Sequence, residues 1–208
     1  MQAIPFFRDV NPSGVGGHIL NISSIGGLLA NPGYSFYHAG KFGESICPRL
    51  KKSSVPTDSQ TLIVALEGFT EALAKEMLPE WNIKATIIEP GGFRTEWGGS
   101  SMETIPSLPV YRQAHAPSEA VRQMIDPKSF IGDPKKCGQT LYEVGCRKDL
   151  PIRLQLGTDA LLLARLKTQK TVEATLKPEL QEIAHSTNAD DIDKTQVIAG
   201  LEALWRDM

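Results

Sequence analysis

The chain has 208 residues, enough for one domain with a buried core, and its length alone does not demand a second domain. Its composition is 41% hydrophobic and 22% charged, as in globular proteins, and no apolar run is as long as a membrane span. The formal net charge of −2 gives no electrostatic reason to expect nucleic acid or a membrane as partner. The three cysteines contain no C-x-x-C pair, which favours a reduced, cytoplasmic location, and the four dispersed histidines predict no metal site.

The start of the chain predicts a strand followed by a helix. Residues 1–9 are expected to be the end of a helix, and 14–17 a glycine-rich turn. An apolar strand is expected at 18–23, followed by a loop at 24–33. A helix then begins near Tyr34. Tyr37 and Lys41 lie four residues apart on it, so their side chains share one helix face.

The helical pattern is interrupted between Gly43 and Val64, which contain prolines, a Cys-Pro and a Lys-Lys and show no periodicity. Helix resumes over 65–77, with an apolar stripe at Leu66, Phe69, Leu73 and Met77. The insert is either a surface excursion or translated intron sequence, and the clean pattern on both sides favours the second.

The remaining elements complete an alternation of strands and helices. A buried strand at 84–89 ends in Pro90-Gly91-Gly92, which opens a polar loop to Pro109. Ser118 is expected to cap a helix through Met124, and Thr158 to cap a long one. The other predicted elements are a helix at 133–146, an edge strand at 150–157, the long helix at 159–182 and a final helix at 194–205. This order predicts an α/β fold with parallel crossovers.

A tyrosine and a lysine four residues apart are a weak signal alone, but the surrounding sequence strengthens it. The segments G-H-I-L-N-I-S-S-I-G-G, Y-H-A-G-K-F, A-L-E-G-F-T-E-A-L-A-K-E-M and I-E-P-G-G-F-R-T resemble the short-chain dehydrogenase/reductase family in order and spacing. The resemblance covers Gly16 to Trp97 apart from the insert. The tail, from about Ile131 through R-L-Q-L-G-T-D-A, is similar to longer members but less specifically.

The resemblance implies half of a known fold. It predicts the last three strands of a doubly wound, Rossmann-type parallel sheet, with a C-terminal helical extension at about 158–208. Residues 1–208 would form a single incomplete NAD(P)-binding domain with an atypical insert at 43–64. The strand at 18–23 would then be an open sheet edge, so we expect marginal stability or dependence on a partner.

The resemblance also assigns roles in an NAD(P)-dependent oxidoreductase. Ser24 would bind the substrate carbonyl oxygen, Tyr37 would act as general acid/base, and Lys41 would lower the pKa of the tyrosine. The implied cofactor contacts are Asn21, Tyr37, Lys41, Pro90, Gly91, Gly92 and Thr95. Simpler interpretations remain for several of these: strand-end or turn residues for Asn21 and Ser24, a chain reversal for 90–92, and a helix N-cap for Thr95.

The sequence departs from the family upstream of Tyr37. It contains no glycine-rich phosphate-binding turn between a strand and a helix, since the glycines of 14–17 precede a strand. The family's catalytic asparagine is also missing. The residue that chooses between NAD and NADP is missing too, so the choice is not decidable from this chain, although NADP is slightly favoured. The alternative function is a truncated, non-catalytic fragment that binds no cofactor and acts at most as an interaction module.

The expected partner is a small carbonyl or alcohol substrate, with a homodimer as a possible assembly. The segment 96–116 corresponds to a variable substrate loop. It predicts an apolar lid formed by Trp97, Met102, Ile105, Leu108 and Tyr111.

Overall fold

The structure is a computed structural model of the chain. It describes residues 2–42, 63–101, 106–113, 115–124, 129–147, 149–189, 191 and 193–206. Most of the predicted insert, residues 43–62, therefore lies outside the described part.

Three parallel strands form the sheet, in the order β1 (Gly17–Ile22), β2 (Ile83–Pro90) and β3 (Arg153–Leu156). Leu20 pairs with Thr86, and Ile88 pairs with Leu154, so β2 has a neighbour on each side. The predicted α/β class and the parallel crossovers are confirmed. Within the described residues β1 pairs along one edge only.

Helices precede and follow each strand. A short helix α1 (Ala3–Pro5) continues as a π-helical turn at Phe6–Val10. This agrees with the helix end predicted at 1–9. The other helices are α2 (Ser35–Phe42), α3 (Ile63–Glu76), α4 (Pro117–Met124), α5 (Pro134–Gly145), α6 (Thr158–Thr175), α7 (Pro178–His185) and α8 (Lys194–Arg206). None of the helices in the described ranges is long and apolar enough to cross a membrane.

The core is centred on β2, the middle strand. Ile87 and Ile88 are fully buried although they point to opposite faces of the sheet. A strand buried on both faces reads as a continuous apolar run, as the sequence of β2 does. The same strand also buries Glu89 completely, so the core contains a carboxylate that needs a partner.

Three residues of the apolar stripe predicted for α3, Leu66, Leu73 and Met77, are half-buried, but the fourth is not. Phe69, a member of the predicted apolar stripe, is 40% exposed, whereas Glu67 and Thr70 are buried. Thr70 accepts a hydrogen bond from Asn21 of β1, and Glu67 is bonded by polar groups described below. The stripe prediction was wrong about Phe69, and the most deeply buried positions of α3 are the polar Glu67 and Thr70, which have polar partners.

Two predicted helix boundaries were also wrong. The long helix predicted at 159–182 is two helices, because Pro178 lacks the amide hydrogen and forces Lys177 into an extended conformation. Ser118 does not cap α4. The carbonyl oxygen of Ala116 accepts the amides of Glu119 and Ala120, and the buried hydroxyl of Ser118 has no partner among the described residues.

The chain divides into two compact units. The sheet unit spans Met1–Ala164, and the helical unit spans Arg165–Met208. The sheet unit contains all three strands and every buried residue named above. The prediction of a single incomplete domain over 1–208 stays a prediction.

Candidate active site

Ser24 lies directly after β1, at the carboxyl edge of the sheet. It begins a short helical turn, Ile25–Gly27, and its hydroxyl accepts the amide of Gly26 at 3.1 Å. Ser24 therefore forms the turn after the strand, as the simpler interpretation predicts. The same Oγ lies 3.5 Å from the Tyr37 Oη, so the turn also aims the serine at the tyrosine.

Tyr37 lies on α2 with its ring packed between other aromatic rings. Its centroid is 5.3 Å from that of Trp97 and 5.3 Å from that of His38. His38 fixes the preceding loop, since its Nε2 accepts the amide of Asn31 at 2.8 Å and its Nδ1 lies 3.0 Å from the carbonyl oxygen of Gly26. The phenol is thereby held beside Ser24.

The expected lowering of the Tyr37 pKa is not what the structure shows. Burial raises the pKa of Tyr37 above its ordinary value, and the hydrogen bond with Ser24 lowers it by less. Lys41 Nζ lies 5.5 Å from the centre of the tyrosine ring, over its face, and does not bond the hydroxyl. In this arrangement burial of the phenol outweighs the hydrogen bond with Ser24, and the role of Lys41 in lowering the pKa of Tyr37 stays a prediction.

Lys41 is itself buried, with only 8% of its surface exposed. Burial lowers the pKa of this ammonium, and the carboxylate of Glu67 raises it by less. The lysine thus lies over the face of the Tyr37 ring, and Glu67 of α3 acts on it electrostatically.

The Pro90-Gly91-Gly92 turn ends β2 next to these residues. The amide of Gly91 donates to the carbonyl oxygen of Leu156 at 2.9 Å, and the amide of Gly92 donates to Asp159 Oδ2 at 2.7 Å. A side chain at Gly91 would collide with the Asp159 carboxylate, and one at Gly92 would meet the ring of Phe130 at 2.8 Å. A larger residue at either position would therefore have to displace Asp159 or the Phe130 ring.

A cavity of about 360 Å³ brings these elements together. Its walls include aromatic rings, which favour an apolar occupant. The predicted site residues that line it are Ser24, Tyr37, Lys41, Pro90, Gly91, Gly92 and Thr95, together with the aromatic Tyr34, Phe93, Trp97 and Phe130.

Two predicted cofactor contacts have other partners in the structure. Asn21 is not among the residues that line the cavity, and its Nδ2 donates to Thr70 Oγ1 at 2.7 Å. Thr95 lines the cavity, but its hydroxyl accepts the amide of Trp97 at 3.3 Å and so caps a short helical turn, Glu96–Gly98. Their roles as cofactor contacts stay predictions.

The predicted apolar lid is only partly described. Trp97 lies against Tyr37 and Phe130, whereas Leu108 and Tyr111 are 65% and 56% exposed. Met102 and Ile105 lie outside the described residues.

An ion cluster beneath the cavity was not anticipated from the sequence. Arg153 of β3 donates to Glu67 at 2.6 Å and to Glu89 at 2.7 Å, and it reaches Glu71 at 3.2 Å. Glu67 also accepts the hydroxyl of Ser23, the residue before Ser24. Burial alone would lower the pKa of Arg153, but its bonds to these carboxylates raise it above the ordinary value.

Asp159 and Phe130 were also missed as site residues. Phe130 and Asp159 contact the glycine turn from segments far along the chain, so no local spacing in the sequence links them to it. The position of Asp159 in the first turn of a helix was visible, and a carboxylate is favoured there. No group of histidine, cysteine, aspartate or glutamate within the described ranges could hold a metal ion.

Comparisons with known proteins agree on one group of enzymes. Oxidoreductase calM of Penicillium decumbens is 30% identical over 186 residues, covering 88% of this chain and 51% of the relative. An uncharacterized oxidoreductase of Schizosaccharomyces pombe is 32% identical over 203 residues, covering 94% of this chain and 57% of the relative. A 3-ketodihydrosphingosine reductase of Bacteroides thetaiotaomicron is 32% identical over 143 residues, covering 68% of this chain and 44% of the relative.

A solved structure supports the same assignment. A short-chain dehydrogenase from Streptomyces avermitilis superposes with a TM-score of 0.58 at 29% identity, covering 83% of this chain and 53% of that one. No family model matches the chain. The chain spans about half the length of the curated relatives it matches. By these likenesses and its parallel sheet, the chain belongs to the short-chain dehydrogenase/reductase family.

Proposed function

We propose that this chain carries the reaction site of an NAD(P)-dependent oxidoreductase acting on a small carbonyl or alcohol substrate. The observation that carries the proposal is the placement of Ser24 and Tyr37. Their hydroxyl oxygens lie 3.5 Å apart at one cavity, with Lys41 on the same helix as Tyr37. This separation is long for a hydrogen bond between hydroxyls, but such bonds commonly tighten only when substrate is bound.

The three side chains have distinct tasks in this proposal. Tyr37 donates a proton to the carbonyl oxygen during reduction and removes one from the alcohol during oxidation. Ser24 donates a hydrogen bond to the same oxygen and stabilises its developing negative charge. Lys41 supplies a positive charge over the ring of Tyr37, which favours the phenolate left after proton donation.

The residues at the cavity suit the nicotinamide end of the cofactor. Lys41 has an ammonium that can hold ribose hydroxyls, and the packing that excludes side chains at Gly91 and Gly92 lets a flat ring approach the backbone. When bound, the nicotinamide supplies or accepts the hydride. Thr95 would hold the carboxamide with the hydroxyl hydrogen that its bond from Trp97 leaves free.

Cofactor binding by the 208-residue chain tests the proposal directly. NADH and NADPH are titrated separately, and binding is followed by cofactor fluorescence, which also decides between NAD and NADP. We expect saturable binding that is lost in the double variant Tyr37→Phe, Lys41→Ala. A matched control is Tyr142→Phe, Lys75→Ala, which makes the same changes on helices α5 and α3 outside the cavity.

The control variant should bind as the natural sequence does. Absence of saturable binding at millimolar concentrations of both nucleotides would contradict the proposal and favour the non-catalytic alternative. The proposed homodimer is checked on the same samples by light scattering, which measures the molar mass in solution.

A further inference from the structure

We infer that Asp159, in the first turn of α6, is a positioning residue that fixes the glycine turn after β2 against the nicotinamide ring. The inference deepens the proposed function and rests on it for the part played by the cofactor. Asp159 lies 67 residues from Gly92 in the sequence. The two residues meet because they follow neighbouring parallel strands, β3 and β2, whose carboxyl ends share one edge of the sheet.

The bond between Asp159 and Gly92 takes over where the pairing of the two strands stops. Pro90 pairs with Leu156 at the end of the ladder, and the amide of Gly91 still donates to the carbonyl oxygen of Leu156 at 2.9 Å. The next amide, that of Gly92, donates to Asp159 Oδ2 at 2.7 Å. A side-chain oxygen thus holds the turn at the point where backbone pairing with β3 ends.

The carboxyl group of Asp159 is itself held in place by close packing. A Cβ atom added at Gly91 would collide with both of its oxygens, and one added at Gly157 would collide with Oδ1. Ala160, the next residue of α6, is fully buried, which fixes the start of the helix in the core. The carboxyl group therefore has little room to move, and its position sets that of the Gly92 amide.

The same carboxyl group does not serve its own helix. An acidic side chain at a helix start can accept the free amides of the first turn. Oδ1 of Asp159 is instead buried without a partner among the residues that the structure describes, and Oδ2 accepts from Gly92. Burial of an unpaired oxygen weakens a fold, and such exceptions are typical of functional sites.

Fixing Gly92 matters because Gly91, Gly92 and Asp159 all line the cavity that contains Tyr37. Hydride transfer needs the flat nicotinamide ring in one orientation, and only a wall that stays in place can impose it. In this arrangement Asp159 acts on the ring through the backbone of Gly92, while Tyr37 acts on the substrate oxygen.

Binding of reduced nicotinamide mononucleotide, the nicotinamide half of the cofactor, tests this effect on the full chain. Asp159→Ala removes the acceptor, so the dissociation constant measured by fluorescence titration should rise by about tenfold. Asp159→Asn keeps an acceptor oxygen and should bind nearly as the natural sequence does. The matched control is Glu179→Ala, which removes an acidic side chain from the first turn of α7 and should not change binding.

Hydrogen exchange at the Gly92 amide is a readout that needs no nucleotide. Mass spectrometry with residue-level fragmentation should show faster exchange at Gly92 in Asp159→Ala than in the natural sequence, Asp159→Asn or Glu179→Ala. Unchanged exchange in Asp159→Ala would overturn the inference, and so would an unchanged dissociation constant in that variant. A loss of binding in Asp159→Asn or Glu179→Ala as large as in Asp159→Ala would also overturn it.

Kinetics separate positioning from a loss of folded protein. With a carbonyl substrate, Asp159→Ala should raise the KM for NAD(P)H as well as lower kcat, whereas a smaller folded fraction would lower kcat alone. A fall in kcat with an unchanged KM would therefore count against the positioning role.

Far-UV circular dichroism shows whether each variant folds. If Asp159→Ala does not fold, Asp159→Ser replaces it, since its side-chain oxygen is one atom closer to the backbone; unchanged exchange at Gly92 there also overturns the inference. A natural chain that binds neither the mononucleotide nor NADH nor NADPH would contradict the proposed function, yet exchange at Gly92 would still decide whether Asp159 fixes the turn.

Discussion

The sheet unit and the helical unit differ in how much of their own apolar side-chain surface is buried. The sheet unit buries Ile87 and Ile88 completely and surrounds its cavity with bonded polar groups. In the helical unit no described residue is buried, and apolar side chains such as Leu176 and Ile198 are 65% and 53% exposed. Helices without a buried face are marginal in water, so stability and chemistry should both reside in the sheet unit.

The largest expected effect is on chemistry and is confined to the sheet unit. Tyr37→Phe removes the proton donor while keeping the ring, so carbonyl reduction should fall by about 10²–10⁴-fold. NAD(P)H oxidation with a ketone substrate measures the loss. Two controls sharpen the comparison: Tyr34→Phe, in the same cavity, and Leu201→Ala, in the helical unit. Both should retain most activity, and a loss in Leu201→Ala as large as in Tyr37→Phe would break the contrast.

The next effect is on stability and uses one substitution in both units. Ile87→Ala leaves a cavity in the middle of β2 and should cost about 2–5 kcal/mol in the free energy of unfolding. Ile198→Ala changes a side chain that is 53% exposed and should stay within about 0.5 kcal/mol. Urea unfolding followed by circular dichroism gives both values. Equal costs would mean that the helical unit has a buried interface of its own.

The smallest effect is a pH dependence in β1, which within the described residues pairs with β2 only. Burial, and then the charge of Lys84, lower the pKa of His18 below its ordinary value of 6.5. The unfolded chain then binds more protons than the folded one, so stability is present above about pH 6.5 and is lost as the pH falls. Because His18 is partly exposed, the loss should be less than about 1 kcal/mol.

Urea midpoints at about pH 8 and about pH 5.5 test this sign. The natural sequence should lose more stability between the two than His18→Gln does. A larger loss in the variant would contradict the direction inferred for His18.

The sequence predicts the architecture and most of the cavity because these depend on local patterns. Examples of such local patterns are the apolar runs of β1 and β2, the glycine turn after β2, and the four-residue spacing of Tyr37 and Lys41. Parallel pairing follows from the alternation of strands and helices. Ser24 reaches Tyr37 because a strand end and a helix start are joined by one loop.

The parts that sequence patterns miss depend on contacts between distant segments. The burial of Glu67 on α3 depends on its partner Arg153, which lies 86 residues further along the chain. Burial in the cavity raises the pKa of Tyr37, and no residue spacing in the sequence predicts that burial. The break between α6 and α7 is different, because Pro178 is a local signal for it even though the helical pattern continues on both sides of the proline.

The Arg153 cluster has a consequence for how the chain folds. A chain synthesised from its N-terminus contains Glu67 and Glu89 well before the guanidinium that neutralises them. Until β3 docks, burying both carboxylates is costly, so α3 and β2 cannot complete their packing alone. Contacts so far apart in sequence form slowly. The arrival of a four-residue strand should therefore be the late step that closes the core and assembles the reaction site together.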